Sequence, residues 1–425
     1  MTPRILIIAG SDSGGGAGIQ ADIKTVTMLG GHAMTAVTAI TAQNTLGVQA
    51  VMPVPAEMVI AQIDSCVSDI GVDAVKIGMI GSADTANAVA DWLENLCSRE
   101  RGNTGWAPAF AGAQEALPIV FDPVMVATSG STLADADTIA AFSRLMALAT
   151  LVTPNLSELE ALIATLSSVR PERVEGLPFS TLLDKKGSAS TGSERTGEER
   201  LADTFETNLL VKGGHGAGDM LVDRLVDRTG EIARWASPRI DTTSTHGTGC
   251  TLGSAIATFL AEGRSLRASV ARARQFVRLA LHDAPGLGGG HGPMSHPSVR
   301  LDLGPEMRLN QITLGMNDPA ASRDFYARLG LKQIVATPDG HYARFEAPGG
   351  ATLSIEHAAE PTVFFECNDL DAEVARLQAK GMVFEHLPVD QEWLWREARL
   401  RDPVGNVICL YQADENRRYP PWRLR

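Results

Sequence analysis

Over the first two-thirds of the chain, short apolar runs alternate with longer amphipathic stretches. The runs Ile5–Ala9, Ala74–Ile77, Ile119–Phe121, Leu151–Thr153 and Leu209–Lys212 are nearly continuous in apolar residues, as strands buried on both faces are. Gly18–Leu29, Pro55–Ser68 and Thr85–Leu96 repeat their apolar residues every three or four positions, as amphipathic helices do. This repeated strand–helix–strand order predicts an α/β fold: a mostly parallel sheet with helices on both faces. Ligands in such sheets collect beyond the carboxyl ends of the strands. Several of the runs pass directly into Gly, Asp-Pro or Pro-Asn turns, so chemistry is expected at those turns.

Two stretches break the pattern. Residues 99–117 are small, polar and turn-rich; residues 168–200 are charged, rich in Ser and Gly, and aperiodic. Neither has an apolar face with which to close a site, so both read as inert, mobile insertions rather than lids. A further shift falls near residue 285, where APGLGGGHGPMSH closes a first domain over 1–297. Residues 298–307 read as a linker. From residue 308 the order strand–helix–three strands occurs twice, LNQITLGMN to ATLSIEHA and then TVFFECN to NVICLYQ. Two βαβββ repeats predict a separate α+β domain over 308–425, ending in a basic tail. Each repeat hides its apolar face only against the other repeat or a second chain, which predicts a homodimer.

Bulk properties narrow the function classes. The chain has 425 residues, 44% hydrophobic and 20% charged, an ordinary soluble balance for two or three domains. Its net charge of -13 excludes a general affinity for nucleic acid or anionic membrane. The run Ile5–Ala9 is too short for a signal segment or a membrane span. Five scattered cysteines without metal-ligand spacing fit a reducing, cytoplasmic compartment.

The candidate chemistry sits at the turns. In AGSDSGGGAGIQAD, glycines at 14, 15, 16 and 18 let the backbone approach a ligand before a helix starts, without matching a dinucleotide or P-loop spacing. In THGTGCTLGSAIA, Gly247, Thr248 and Gly249 precede an apolar helix whose free amides would hold a transferring phosphoryl group. Cys250 falls in its first turn, where the helix dipole would favour a thiolate able to take a proton. A buried, inert cysteine is the bland alternative. Asp122 and Glu158 are carboxylates at strand ends that could hold Mg²⁺; Asn155 and Lys212 could reach phosphates. Taken singly, these are equally well turn formers and helix caps.

The ordered set AGSDSGGGAGIQAD, TAITAQNT, VKIGMIGS, FDPVMVATSG, TPNLSELEAL, LVKGGHG, THGTGCTLGSAIA and HGPMSH resembles the hydroxymethylpyrimidine/phosphomethylpyrimidine kinases of the ribokinase superfamily over about residues 4–297. The resemblance implies a three-layer α/β/α sandwich, ATP with Mg²⁺, and two successive phosphorylations of the pyrimidine for thiamine synthesis. It places Gln43, an amide offering both donor and acceptor, on the aminopyrimidine edge. It puts Gly10 and Met79 against the ring, Asp22 near the hydroxymethyl group, Cys250 in the position of the base, and Gly247–Gly249 as the anion hole. A pyridoxal kinase is the rival reading on the same fold; a pyrimidine sensor on a dead kinase is the non-enzymatic one.

The duplicated C-terminal unit resembles the vicinal oxygen chelate superfamily of glyoxalase and bleomycin-resistance type, through MNDPAASRDFYARLGL, NDLDAEVARLQAKG and RDPVGNVICLY. That resemblance implies one metal ligand from each of four strands, at positions matched here by Gln311, Glu356, Thr362 and Cys409, with His357 and His386 nearby. Only Glu356 is a strong ligand for a hard or borderline cation, so a binding or assembly module is expected rather than a metal-dependent enzyme.

Overall fold

The computed structural model describes residues 2–101, 116–126, 130, 133–168, 196–214, 218–304 and 307–424. Two compact units divide the chain, Met1–His296 and Pro297–Arg425. Most of the two predicted insertions lies outside the described residues. Their described edges are not insertion-like: residues 99–101 end a helix, and Thr196 opens another with a reciprocal cap to Glu199.

The first unit is a nine-stranded sheet. Its strands are β1 (Arg4–Asp12), β2 (His32–Asn44), β3 (Gly47–Pro53), β4 (Ala74–Ile77), β5 (Ile119–Phe121), β6 (Leu151–Val152), β7 (Asn208–Val211), β8 (Met220–Asp227) and β9 (Gly230–Pro238). They lie in the order β3-β2-β1-β4-β5-β6-β7-β8-β9, parallel from β2 to β7 and antiparallel at both edges. Chain order reverses between β1 and β4, the kind of switch point at which open α/β sheets leave a ligand crevice. Ile5, Leu6, Ile7 and Ile8 are all fully buried, so β1 is covered on both faces, as its continuous apolar run requires. One face carries α1 (Gly18–Met28), α7 (Thr248–Ala261) and α8 (Leu266–His282); the other carries α2 (Ala56–Asp69), α3 (Ala83–Arg101), α4 (Ala136–Leu148), α5 (Leu156–Ser168) and α6 (Gly197–Phe205). The five predicted strands and three predicted helices are all present. The β2–β3 and β8–β9 hairpins extend the sheet beyond them.

The second unit holds α9 (Arg300–Leu303), then β10 (Arg308–Met316), α10 (Pro319–Arg328), β11 (Lys332–Ala336), β12 (Tyr342–Glu346) and β13 (Thr352–His357). The order repeats as β14 (Thr362–Glu366), α11 (Leu370–Ala379), β15 (His386–Asp390), β16 (Arg396–Arg401) and β17 (Val407–Gln412). One eight-stranded sheet results, with the antiparallel pair β10–β14 joining the two repeats at its centre. The segment expected to be a linker is instead part of this unit. Asp302 of α9 is buried and accepts hydrogen bonds from the fully buried Arg417 at 2.7 and 3.0 Å. A charge removed from water needs a partner, and this pair ties the start of the unit to its basic end. Among the described residues, no helix is long and apolar enough to cross a membrane.

Candidate active site

The chemistry gathers where the sheet predicts it. Gly10 lies on β1, Met79 two residues beyond β4, Asp122 directly after β5, Asn155 three residues beyond β6, and Lys212 directly after β7. They line one cavity of about 540 Å³ together with Gln43, Glu158 and Gly247, Thr248, Gly249 and Cys250 at the start of α7. Among the sequence-predicted site residues of the first unit, Asp22 and the turn glycines Gly14, Gly15 and Gly16 do not border it.

Two glycines shape the anion loop. Gly247 has φ +84°, and a Cβ there would lie 1.9 Å from the Gly16 carbonyl oxygen, so the loop and the Gly-rich turn touch backbone to backbone. A Cβ on Gly249 would lie 3.1 Å from Asp122 Oδ2 and 3.4 Å from Lys212 Nζ, so the loop also abuts the charged end of the site. Asp122 Oδ1 accepts from Lys212 Nζ at 2.8 Å and from Thr153 Oγ1 at 2.9 Å, which leaves Oδ2 turned toward the loop. Burial works against the Asp122 charge, but Lys212 and Lys76 outweigh it and hold the carboxyl below its usual range.

Asn155 and Glu158 cap α5 reciprocally: Glu158 N donates to Asn155 Oδ1 at 2.9 Å and Asn155 N donates to Glu158 Oε2 at 2.8 Å. The bland reading of these two as helix caps is therefore true, and it is compatible with a ligand role. The cap uses the Asn155 side-chain carbonyl oxygen and not its NH₂ group. Burial raises the Glu158 carboxyl above its ordinary value, opposed by Lys212 3.9 Å away. Asp122 and Glu158 fit a Mg²⁺ ion carried in on nucleotide phosphates, since magnesium takes one or two protein carboxylates and completes its shell from phosphate and water.

Two expectations are corrected. Asp22 does not face the cavity. It is fully buried on α1, accepting from Lys76 Nζ at 2.9 and 3.0 Å and from Ser254 Oγ at 2.7 Å. Cys250 does border the cavity, but its thiol is not driven toward thiolate. Burial pushes it up to about 11; the Lys76 ammonium pulls the other way, while the Asp22 and Asp122 charges add to the rise.

The structure also adds residues the sequence reading passed over. Asp12 Oδ2 accepts from the amides of Gly16 and Ala17 and contacts His246 Nε2 at 2.9 Å; Oδ1 accepts from Gly14 N. Burial would raise Asp12, yet the His246 hydrogen bond and these amides leave it below the usual carboxylate range. Asp12 thereby clamps the Gly-rich turn to the residue preceding the anion loop. Lys76 was legible too: a lysine inside a four-residue strand that is otherwise apolar needs a buried carboxylate.

In the second unit, the four positions matched to metal ligands do not all converge: Glu356 and Thr362 border one cavity, while Gln311 and Cys409 do not. β10 and β13 run parallel with Gln311 opposite Thr352 and Glu356 opposite Gly315. Four residues of strand, about 13 Å, therefore separate Gln311 from Glu356. Gln311 is committed to Ser354 and Thr352, and Cys409 is fully buried with its thiol on Glu397 Oε2 at 3.7 Å. His357 stacks on His341, and His386 Nδ1 contacts the neighbouring Leu387 carbonyl. After dialysis, the full chain is expected to retain less than stoichiometric Zn²⁺, Fe²⁺ or Ni²⁺ by elemental analysis. Stoichiometric metal that is lost on Glu356→Ala would contradict this.

Comparison with known proteins agrees with both units. The phosphomethylpyrimidine kinase family model matches residues 12–101, 107–176 and 178–295. The glyoxalase/bleomycin resistance protein/dioxygenase superfamily model matches residues 308–410. A thiamine biosynthesis bifunctional protein ThiED of Geobacter sulfurreducens is 42% identical over 293 residues, covering 69% of this chain and 52% of that protein. The chain thus spans about half the length of that relative. A hydroxymethylpyrimidine/phosphomethylpyrimidine kinase of Streptomyces coelicolor is 41% identical over 297 residues, 69% of this chain and 94% of that one. Among solved structures, an ADP complex of Bacillus subtilis pyridoxal kinase superposes with a TM-score of 0.53 at 28% identity, covering 71% of this chain and all of that one.

Proposed function

The chain belongs to the phosphomethylpyrimidine kinase family through residues 12–295, and we propose that its first unit transfers the γ-phosphate of ATP to the hydroxymethyl group of 4-amino-5-hydroxymethyl-2-methylpyrimidine and then to the resulting monophosphate. One observation carries this reading. A single cavity joins an amide suited to an aminopyrimidine edge, Gln43, to an anion loop and then to a carboxylate–ammonium end at Asp122, Lys212, Asn155 and Glu158.

Such a reaction leaves the protein little covalent work: it needs in-line positioning and stabilisation of charge on the transferring group. Lys212 stays an ammonium because Asp122 and Glu158 outweigh the cost of its burial, so it can pair with phosphate oxygens. Asp122 and Glu158 would hold Mg²⁺, which supplies charge neutralisation between the phosphates when bound. The amides of Gly247–Gly249 meet the transferring phosphoryl group. Met79 and Gly10 form the wall of the ring site; a Cβ on Gly10 would crowd Met79 Sδ at 3.1 Å. Cys250, directly after the anion loop, would take the hydroxyl proton in its thiolate form, a minor species at neutral pH because burial pushes the thiol up to about 11.

Incubating the chain with ATP, Mg²⁺ and limiting hydroxymethylpyrimidine tests the reading. Two ATP should be consumed per pyrimidine. Consumption of only one would remove the second step; none would remove both.

A further inference from the structure

Lys212 and Gly214 line the cavity, and Gly213 between them does not. The antiparallel ladder of β7 and β8 ends with Val211 opposite Arg224. Two residues further on, the Gly213 amide donates to a side chain instead, Asp223 Oδ1 of β8, at 2.8 Å. A Cβ on Gly213 would lie 2.1 Å from the Val222 carbonyl oxygen, so the turn packs backbone to backbone on β8, within reach of the short Asp223 carboxylate. The other oxygen, Oδ2, accepts from Arg274 Nε of α8 at 2.6 Å. Arg274 is fixed in its turn. Its Nη2 donates to Ser237 Oγ of β9 at 3.2 Å, and its guanidinium lies 5.8 Å from the centre of the Trp235 ring. The Arg274 and Asp223 side chains are only 11% and 16% exposed, so neither charge is left alone without cost. Lys212 is held as well: its amide donates to the Pro154 carbonyl at 3.0 Å and its Nζ to Asp122 Oδ1 at 2.8 Å. Asp223 does not itself border the cavity.

We propose that Asp223 is a positioning residue for the nucleotide end of the site: braced by Arg274, it fixes the Lys212–Gly214 turn so that the Lys212 ammonium meets the phosphates in one place. The proposal rests on the kinase reading of the site. A Gly-Gly turn has the widest backbone freedom of any, and a lysine is a point charge on a flexible stem. Unless the turn is set beforehand, the nucleotide has to order it on binding, and affinity falls by that cost. The position also calls for a carboxylate rather than an amide. Asp223 faces a donor on each side, the Gly213 amide and the Arg274 guanidinium, and only a group that accepts at both oxygens satisfies both. Asp223 does this without touching the ligand.

The test compares KM for ATP with KM for hydroxymethylpyrimidine in the full chain, each at a saturating level of the other substrate. Asp223→Ala should raise KM for ATP about tenfold, the size of one charge-assisted hydrogen bond, and leave KM for the pyrimidine unchanged. Asp223→Asn should do the same, because whichever way the amide turns, its NH₂ group faces a donor. Removing the second donor should rescue it. In Asp223→Asn combined with Arg274→Met, the amide oxygen is free to serve Gly213, and KM for ATP should fall back toward the wild-type value. A general packing role would instead move both KM values together and make the double variant worse than Asp223→Asn. An unchanged KM for ATP in Asp223→Ala, a parallel rise in both KM values, or a double variant no better than Asp223→Asn would overturn the proposal. Should Asp223→Ala fail to fold, Asp223→Asn with and without Arg274→Met decides on the same terms. A wild-type chain that does not phosphorylate the pyrimidine overturns the kinase reading and this inference together; an active wild type with any of those three results overturns the inference alone.

Discussion

Cys250→Ala is expected to lower kcat by about 10²–10⁴, the usual effect of losing a general base, while leaving the KM for ATP nearly unchanged. The proposed nucleotide end comprises Asp122, Lys212, Asn155 and backbone amides of the Gly247–Gly249 loop, none of which the substitution removes. The pH dependence separates this role from a packing role. Burial holds the thiol at about 11, so at neutral pH the base-competent thiolate is a minor species. Its fraction rises about tenfold per pH unit below that value. The wild-type kcat should therefore climb between pH 7 and 9, and the alanine variant should be flat over the same range. The window stops at 9, the ordinary thiol value. Above it the unfolded chain begins to lose this proton while the folded chain keeps it, so folding stability falls as pH rises toward 11. Near-normal kcat in the variant, or parallel pH profiles, would show that Cys250 is not the base.

Lys76→Met should destabilise the first unit by about 3–5 kcal/mol, because it strands a charge partner in the interior. Asp22 and Lys76 are both fully buried and bonded to each other at 2.9 and 3.0 Å, and Ser254 Oγ supplies one further donor to Asp22. Burial pushes the Asp22 carboxyl up and Lys76 counters it; without Lys76 the carboxyl would be driven to take a proton, which limits the loss. A fall in melting temperature on the order of 10 °C follows for a unit of this size. Adding Asp22→Asn to Lys76→Met removes the stranded charge and should restore most of the stability. A single variant as stable as wild type, or a double variant no better than the single, would contradict the pairing.

These two sites also show what the sequence could and could not carry. Strands such as Ile5–Ala9 were legible because burial on both faces forces a continuous apolar run. β2 and β3 were not, because along β2 buried residues are interrupted by partly exposed ones and β3 is mostly exposed, so the hydrophobic signal is weak. β8 and β9 form an antiparallel edge hairpin of similarly mixed burial. In the site, turn residues after strands could be placed because topology alone brings strand ends together; Gly10, Asp122, Asn155 and Lys212 needed no side-chain detail. Depth is what linear order does not encode. Asp22 lies one helical turn past Gly18, which borders the cavity, yet points into the sheet toward Lys76. The thiol of Cys250 reads as activated from its place on the helix, and burial overrides the helix dipole. In the second unit, the duplication predicted two βαβββ halves, while strand register, which sequence spacing leaves open, set Gln311 apart from Glu356.

The most direct measurement runs ATP turnover in parallel against hydroxymethylpyrimidine, its monophosphate and pyridoxal, at saturating ATP and Mg²⁺ on one preparation of the full chain. The expected result is that both pyrimidines are phosphorylated with kcat/KM well above that for pyridoxal. Turnover of pyridoxal far exceeding that of either pyrimidine would contradict the assignment.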